Sequence, residues 1–263
     1  MMNIQKYVRA QSLEEAWQLN QSRRNRIIGG MIWLKMSSAS IGAAIDLCDL
    51  GLNTIEETDE AFIIGAMATL RDIELHQGFN AYTCGAAAAA VKDIIGVQLR
   101  NMATVGGSIF ARFGFSDVLT FFLSLDCEVE LYKGGIMPLE RFVQMKRDND
   151  ILVRLIVKKT PGRFAYRAMR IQRTDFPVLT CAVSCMNGET RAVIGARPSR
   201  AMIVRDEEGI LANGITDESA AAFAETVSGK VPTLSNIRGS AAYRTHLVRV
   251  LTQRAILEMG GQQ

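Results

Sequence analysis

Two short segments of the sequence bring a pair of glycines to the end of an apolar, strand-like run. The first is Ile27-Ile28-Gly29-Gly30 and the second is Thr104-Val105-Gly106-Gly107. Because glycine has no β-carbon, its backbone can take positive φ and approach a ligand closely. Successive peptide N–H groups then point into one concavity and hold phosphate oxygens without a cationic side chain. Two such turns facing each other are expected to clasp a diphosphate, whereas a single Gly-Gly pair is an ordinary tight turn.

Other chemistries find little support in the residue types. Neither glycine segment contains G-x-G-x-x-G or G-x-x-x-x-G-K-[ST], which disfavours a Rossmann nicotinamide enzyme and a P-loop protein. The five cysteines form no Cys-x-x-Cys pair, and the chain has only two histidines. Cys181 and Cys185 are interpreted as small apolar residues on one face of a strand. We therefore expect no metal site and no catalytic side chain in this chain.

Composition and charge are those of an ordinary globular protein. Thirty basic residues against 27 acidic ones give a net charge of +3, and they are spread along the chain. The densest basic stretch, residues 22–26, is typical of a solvated helix end, so no nucleic-acid partner is expected. No apolar run approaches the ~20 residues that cross a bilayer. With no apolar leader at the N-terminus, we expect no membrane partner and a cytoplasmic location with reduced thiols.

Strands and short helices are expected to position the two glycine segments. Ser12 is the predicted N-cap of a first helix. The predicted strand Arg26-Ile27-Ile28 comes after this helix and ends directly at Gly29. Thr69 is predicted to cap a short helix over Leu70–Leu75. The alanine run predicts a helix over residues 86–95 that ends at Gly96. Further predicted elements are strands over residues 43–47, 61–66 and 127–132, a helix over residues 116–125 and a hairpin turn at residues 133–135.

A boundary between two domains is predicted at Thr160-Pro161-Gly162. Beyond it the pattern predicts strands over residues 164–169, 177–186 and 190–195, and then helices over residues 218–227 and 241–259. Strands followed by helices in one block indicate an α+β unit. The predicted domains are residues 1–160, with subdomains of about 1–55 and 56–160, and residues 161–263.

The segment from Leu99 to Ile109, L-R-N-M-A-T-V-G-G-S-I, resembles the second FAD motif of a known family. That family is the FAD-binding (medium) subunits of molybdenum hydroxylases, of the xanthine dehydrogenase and carbon monoxide dehydrogenase flavoprotein type. Residues 64–70, 196–201 and 237–244 resemble further stretches of the family, in the same order along the chain. The resemblance implies an α+β protein: a PCMH/VAO-type FAD-binding domain of two α/β subdomains, followed by a C-terminal α+β domain with an antiparallel sheet and helices.

The resemblance also implies which residues hold FAD. The first FAD loop falls on Ile28, Gly29, Gly30, Met31, Ile32, Trp33 and Leu34, and the second on Ala103, Thr104, Gly106, Gly107 and Ser108. Further contacts to the adenosine and ring portions fall on Thr69, Asp117 and Leu152 (or its neighbour Ile151). Arg170 (or Arg173) falls near the family's basic residue beside the flavin, where a positive charge stabilises a reduced, anionic flavin.

Several of these residues have a second interpretation that needs no ligand. Asp117 is either an acceptor for ribose hydroxyls or a plain acidic residue at a helix N-terminus. Either arginine is by default a solvent-facing strand residue. Trp33 stacks on the flavin or fills the core, and the core is the simpler interpretation.

Replacing Gly106 or Gly107 by valine is expected to abolish FAD retention while leaving a folded protein.

The function implied by the resemblance is electron transfer. The subunit would take electrons from a [2Fe–2S] subunit and pass them to NAD or another acceptor, while a molybdopterin subunit oxidises the organic substrate. Met31-Ile32-Trp33 replaces the small polar residues that the family usually has after its first Gly-Gly pair. This departure favours an alternative, a structural or assembly subunit with weak or lost FAD binding. An independent flavoenzyme of the same fold is a third possibility, but the sequence has no evident substrate-binding insertion.

Overall fold

The computed structural model describes residues 2–262, and helices and strands are found along the whole of that range. The strands are β1 (Asn3–Arg9), β2 (Arg26–Ile28), β3 (Ser40–Asp46), β4 (Ile55–Glu57), β5 (Ala61–Gly65), β6 (Cys127–Leu131), β7 (Gly135–Pro138), β8 (Leu152–Lys158), β9 (Gly162–Arg170), β10 (Pro177–Met186), β11 (Glu189–Gly195) and β12 (Met202–Arg205). The α-helices are α1 (Leu13–Asn20), α2 (Leu70–Leu75), α3 (Gln77–Tyr82), α4 (Ala86–Val91), α5 (Val97–Arg100), α6 (Val105–Phe110), α7 (Asp117–Leu123), α8 (Leu139–Gln144), α9 (Asp217–Lys230) and α10 (Ala241–Gly260).

The chain forms two compact units, and each is assembled from separate stretches of sequence. Unit 1 contains Met1–Asp72, Val97–Ala111 and Cys127–Lys158. Unit 2 contains Ile73–Gly96, Arg112–Asp126 and Lys159–Gln263. Both glycine segments therefore belong to unit 1, whereas Asp117 and Arg170 belong to unit 2.

A small parallel sheet in unit 1 leads into the first glycine pair. Its strand order is β1-β3-β2, with both pairings parallel. Helix α1 begins at Ser12, whose hydroxyl accepts from the amide of Glu15 at 3.1 Å, as the sequence predicts. Strand β1 was missed in the sequence analysis. It is an edge strand, and most of its side chains are exposed. Because it has no run of apolar residues, no sequence pattern predicts it.

A five-stranded antiparallel sheet forms the rest of the unit 1 framework. Its order is β4-β5-β8-β6-β7. Strand β6 alternates buried and half-buried residues, and Gly135 at φ 69° completes the tight connection to β7. The predicted strand and hairpin turn are thus both present. The hairpin is tied to α1, because the Tyr132 hydroxyl and the Lys133 ammonium each approach a Glu14 carboxylate oxygen at 2.8 Å.

Unit 2 is built on a four-stranded antiparallel sheet of order β12-β11-β10-β9. Every residue of β10 except Cys185 is buried, because helices cover it on both sides. On one face the Thr180 hydroxyl meets that of Thr120 in α7 at 3.0 Å. On the other face Cys181 packs with the apolar residues of α9 and α10 and meets the Thr252 hydroxyl at 3.6 Å. This alternation follows from the two-residue period of a strand.

A buried arginine fixes the loop that precedes α10. Arg244 is 1% exposed, and its guanidinium donates to the carbonyls of Val178, Leu234 and Gly239 and to the side-chain oxygen of Asn236, at 2.5–2.9 Å. A buried charge is tolerated when hydrogen bonds replace its water shell. Residues 234–239 therefore have one fixed course, although Ile237 at their tip is 96% exposed.

Most of the later predicted elements are found, with one clear exception. Strands β9, β10 and β11 and helices α9 and α10 coincide with their predictions to within a few residues. The predicted alanine helix is wrong at its C-terminal end, because α4 stops at Val91 instead of continuing to residue 95. Beyond Val91 the Ile94 amide donates to the Val91 carbonyl at 2.9 Å, a tighter turn than an α-helix makes, and Ile95 takes φ 51°, outside the helical region.

Two further expectations concern what the fold contains. Within residues 2–262, no helix is both long enough and apolar enough to cross a membrane. Over the same residues, no group of His, Cys, Asp and Glu side chains gathers as a metal site would require.

Candidate cofactor site

The two glycine segments are in direct contact within unit 1. A β-carbon built on Gly30 would lie 1.7 Å from the carbonyl oxygen of Met102, and one on Gly29 would lie 2.6 Å from Thr104 Oγ1. Contacts this short cannot be accommodated by a real β-carbon. The glycines of the first segment are thus required by the close approach of the second.

The expected left-handed backbone of the paired glycines is wrong. None of Gly29, Gly30, Gly106 and Gly107 has positive φ; the residue that does is Met31, at φ 57°. A side chain in this region costs roughly 1 kcal/mol or more relative to the ordinary conformation. The reversal of the backbone therefore takes place just after the glycines, at Met31, a residue of the first FAD loop for which no left-handed conformation was expected.

The amides of the second segment are largely used by the protein itself. Those of Val105 and Gly106 donate to the carbonyls of Ala68 and Ala66, both at 2.8 Å. The amide of Gly107 donates to the Thr104 hydroxyl at 3.1 Å, because Thr104 is the N-cap of α6. The expectation that Gly106 and Gly107 present bare amides to a ligand is therefore wrong. Of the residues at this turn, buried Thr104 keeps an amide with no acceptor in residues 2–262.

Gly106 has a packing role instead. Its missing β-carbon would lie 2.6 Å from the Ala66 carbonyl oxygen and 2.7 Å from the Ala66 β-carbon. A valine at position 106 would therefore push two backbone segments apart, so this packing argues against the expectation that Gly106→Val leaves a folded protein. Gly107 is exposed, and its added β-carbon would meet only Thr104 Oγ1, at 3.0 Å.

The first segment has the unused donors. Among the described residues, no acceptor is found for the amides of Gly30, Met31 and Ile32. The chain then turns into a single 3₁₀ turn, Leu34–Met36, closed by the Lys35 amide donating to the Met31 carbonyl at 3.0 Å. Three successive amides around a left-handed residue are the arrangement that holds phosphate oxygens. With the Thr104 amide alongside, this part of unit 1 fits the diphosphate of FAD.

Trp33 lies on this loop and is 43% exposed, so the interpretation of its side chain as core filling is wrong. Leu34 is partly buried in the turn that follows. On the second segment, the Ala103 amide donates to the Leu99 carbonyl at 2.8 Å, and the Ser108 hydroxyl donates to the Thr104 carbonyl at 2.9 Å. Ile28 is buried at the end of β2.

Thr69 and Leu152 lie within the framework of unit 1. The Thr69 hydroxyl donates to Asp72 at 2.7 Å and accepts from the Asp72 amide at 3.1 Å, so the predicted cap is present. Thr69 also forms an isolated antiparallel bridge with Thr104, which brings it beside the second glycine segment. Leu152 begins β8 and is 5% exposed, with its neighbour Ile151 at 1%. Both of these apolar side chains are core residues, and a contact with FAD stays a prediction for Leu152.

Asp117 and Arg170 are joined to each other in unit 2. Arg170 Nη2 donates to Asp117 Oδ1 at 2.5 Å, and the Tyr166 hydroxyl donates to the same oxygen at 2.6 Å. The Arg170 side chain is 8% exposed, so the default interpretation as a solvent-facing residue is wrong for it. Arg173 does face solvent, with a side chain that is 81% exposed, but it lies beyond the end of β9 and not in a strand.

Burial raises the pKa of the Asp117 carboxyl, while the Arg170 guanidinium and the Tyr166 hydroxyl act in the opposite direction. Burial also raises the pKa of Tyr166 well above its ordinary value, so its hydroxyl stays protonated and donates. Sequence reasoning missed Tyr166. The signal was present: Tyr166 and Arg170 are four residues apart in one strand, a spacing that places both on the same face.

The family assignment follows from comparison with known sequences. Residues 2–159 match the sequence profile described as the FAD binding domain in molybdopterin dehydrogenase. Residues 164–259 match the profile described as the CO dehydrogenase flavoprotein C-terminal domain. The chain therefore belongs to the family of FAD-binding domains of molybdopterin dehydrogenases.

Relatives cover the chain almost from end to end. The nicotine 6-hydroxylase medium subunit of Paenarthrobacter nicotinovorans is 26% identical over 278 residues, covering 98% of both chains. The xanthine dehydrogenase FAD-binding subunit of Escherichia coli O157:H7 is 28% identical over 234 residues, covering 81% of this chain and 78% of its own. Among solved structures, carbon monoxide dehydrogenase from Hydrogenophaga pseudoflava superposes with a TM-score of 0.85 at 22% identity. That superposition covers 97% of this chain and 96% of the other, which shows the shared fold.

Three predictions from the sequence are confirmed by these matches: the family, the α+β fold class and FAD as the cofactor. The chain is an FAD-binding oxidoreductase subunit of the molybdenum hydroxylase type.

Proposed function

We propose that this chain is the electron-transfer flavoprotein of a xanthine dehydrogenase-like complex. It would take electrons from a [2Fe–2S] subunit and pass them to NAD or another acceptor. The observation that carries the proposal is the set of unused amides at Gly30, Met31 and Ile32, in a chain that belongs to an FAD-binding family. FAD is suited to this role because the flavin accepts electrons singly and releases them in pairs.

The contribution of the chain is binding and electrostatics. The amides of the first loop would donate to the phosphate oxygens, and the Thr104 amide would add a donor from the second segment. No lysine or arginine is needed for this, because main-chain dipoles supply the positive potential. The glycines and Met31 keep those donors in place before the cofactor arrives, which lowers the ordering cost of binding.

The partners are inferred from the relatives, which include a medium subunit and a medium chain. Such names describe proteins that assemble with larger and smaller chains. We infer that this chain assembles with a [2Fe–2S] subunit and a molybdopterin subunit, and that the organic substrate is oxidised on the latter. A cytoplasmic location is part of the same proposal, since the five cysteines are free thiols.

The test is to purify the assembly through an affinity tag on this chain and to measure FAD, iron and molybdenum per chain. We expect FAD in a one-to-one ratio with the tagged chain, together with iron, molybdenum and two further polypeptides. NADH is then added anaerobically, and bleaching of the flavin absorbance would identify NAD as the acceptor. A flavin-containing chain that purifies alone would contradict the complex and favour an independent flavoenzyme.

A second candidate is a structural subunit with weak or lost FAD binding. It is favoured by the second glycine segment, where the amides of Val105, Gly106 and Gly107 already have acceptors within the chain. This leaves fewer donors than two open glycine turns would offer. Calorimetric titration of the isolated chain with FAD separates the candidates, because a scaffold subunit would be colourless and would give no binding heat.

A further inference from the structure

Three large apolar side chains are exposed on the two segments that meet at the candidate cofactor site. Trp33 is 43% exposed, Met36 73% and Met102 49%. Met102 belongs to the backbone that Gly30 touches, and Trp33 and Met36 follow Gly30 on the first loop. Exposed apolar groups gathered on adjoining segments are a feature of binding sites more than of ordinary surface.

Trp33 lies next to the unused amides along the chain. It comes directly after Ile32, the last of the three residues with an unused amide. The Met36 amide donates to the Trp33 carbonyl at 3.1 Å, so the backbone of Trp33 is fixed by the 3₁₀ turn. An exposed indole therefore belongs to the residue next to the donors that would hold the phosphates.

We propose that Trp33 stacks on the adenine ring of the bound dinucleotide. This inference rests on the proposed FAD site and names the residue that recognises its nucleotide end. Adenine is joined to the diphosphate by one ribose, whereas the flavin ring is separated from it by a longer five-carbon ribityl chain. A side chain adjacent to the phosphate-binding amides is therefore within reach of the nearer ring, the adenine.

Chemistry also suits an adenine at this position. Indole and adenine are both flat and polarisable, and stacking of a base on an aromatic side chain strengthens binding roughly tenfold or more. Thioethers such as those of Met36 and Met102 pack favourably against aromatic rings. The apolar residues of the first loop would thus serve recognition of the nucleotide, in a loop where the family usually has small polar residues.

The sequence offers a clean reporter, because Trp17 and Trp33 are its only tryptophans. Trp17 belongs to α1 and lies under the Lys133 ammonium, 4.9 Å from the ring centroid. In the full-length Trp17→Phe variant, all indole emission comes from Trp33. The probe is ADP, because it carries the adenine and the diphosphate but no flavin that would accept excitation energy from a distance.

We expect ADP to quench and shift the emission of the flavin-free Trp17→Phe variant, and to protect it from acrylamide. The matched control, Trp33→Phe, retains Trp17 and should show neither effect while still binding ADP. By calorimetry, Trp33→Leu should weaken FAD binding about tenfold or more, and Trp33→Phe by less because it keeps an aromatic face.

Two negative outcomes are distinguishable. If FAD binds the wild-type chain tightly, yet ADP leaves Trp33 emission unchanged and Trp33→Leu binds FAD normally, the stacking role is wrong and the FAD site stands. If neither FAD nor ADP binds the wild-type chain, the proposed FAD-dependent function itself fails, and the stacking role fails with it.

Discussion

At the scale of single residues, the glycines of this protein are explained by what lies next to them. Gly29 and Gly30 accommodate Thr104 and the Met102 carbonyl, and Gly106 accommodates Ala66. The conformational freedom of glycine is not what these positions use, since none has positive φ. The left-handed turn is made by Met31, and the strain at that residue is held by the contacts on either side.

Gly30→Ala is the most direct test of the contact between the two segments. The new β-carbon would lie 1.7 Å from the Met102 carbonyl oxygen, so the backbone must move. We expect the free energy of unfolding to fall by roughly 1–3 kcal/mol and FAD affinity to fall more than tenfold. Urea denaturation and calorimetric titration measure the two effects.

The matched control for that substitution is Gly107→Ala. Its β-carbon would meet only the Thr104 hydroxyl, at 3.0 Å on an exposed position. We expect little change in stability, because Gly107 is the third residue of α6 and alanine favours a helix more than glycine does. Equal losses in both variants would show that contact between the segments is not what makes glycine necessary at position 30.

At the scale of elements, a buried ion pair joins α7 to β9 in unit 2. Asp117 is the first residue of α7, and both Tyr166 and Arg170 reach it from β9. Charged side chains this deeply buried depend on their partners, because an unpaired charge in the interior destabilises the folded state.

Asp117→Ala should therefore be strongly destabilising. It leaves the Arg170 guanidinium buried without its counter-ion, and we expect a loss of about 3–5 kcal/mol in the free energy of unfolding. Tyr166→Phe removes one donor and leaves the ion pair, so about 1 kcal/mol is expected. Denaturation followed by circular dichroism gives both values, and similar losses in the two variants would argue against the ion pair as the main contribution.

A second link between elements, Glu14, gives a prediction for acid stability. Hydrogen bonds from Lys133, Tyr132 and Gln18 lower the pKa of Glu14 from 4.5 to about 2. The lowered pKa means that its contribution to stability is present above pH 4.5 and is lost as the pH falls through about 2.

We expect wild type to be more stable than Glu14→Gln near neutral pH and the difference to disappear toward pH 2. Lys133→Met removes the donor with the largest effect and should weaken the pH dependence in the same way. Urea denaturation between pH 6 and pH 2 measures the free energy of unfolding of each variant. A difference between wild type and Glu14→Gln that stays constant down to about pH 2 would contradict the lowered pKa of Glu14.

At the scale of the whole molecule, the chain passes between its two units several times. Residues 73–96 and 112–126 lie between segments of unit 1 in the sequence, but they belong to unit 2. The two family profiles, by contrast, divide the chain between residues 159 and 164. The boundary at Thr160-Pro161-Gly162 remains a prediction. It divides the chain into two continuous segments, whereas each compact unit combines several separate segments.

Cofactor binding should stabilise the molecule by mass action. With free FAD at 100 times its dissociation constant, the folded state gains about 2.7 kcal/mol. For a chain of this size that corresponds to a rise in Tm of roughly 5–10 °C. Riboflavin, which lacks the diphosphate, should give a much smaller rise in differential scanning calorimetry.

Hydrogen exchange shows where FAD acts. We expect slower exchange with bound FAD at residues 30–36 and at Thr104, which carry the unused amides and the exposed indole. Slower exchange confined to unit 2 would contradict the site at the first loop.

The family, the fold class, most strands and helices, and the two glycine segments of the candidate cofactor site could all be predicted from the amino-acid sequence. These features are written locally, in alternation of apolar residues, caps such as Ser12 and Thr69, and an ordered series of motifs. Which amides remain available depends on long-range packing, because the carbonyls of Ala66 and Ala68 accept from the amides of Gly106 and Val105, in a distant part of the chain. The exposure of Trp33 and the hydrogen bond from Tyr166 to Asp117 likewise become visible only in the folded chain. These partners and exposures are set by packing between segments far apart in sequence; the spacing of Tyr166 and Arg170 places both on one face of β9, but it does not identify Asp117 as their partner.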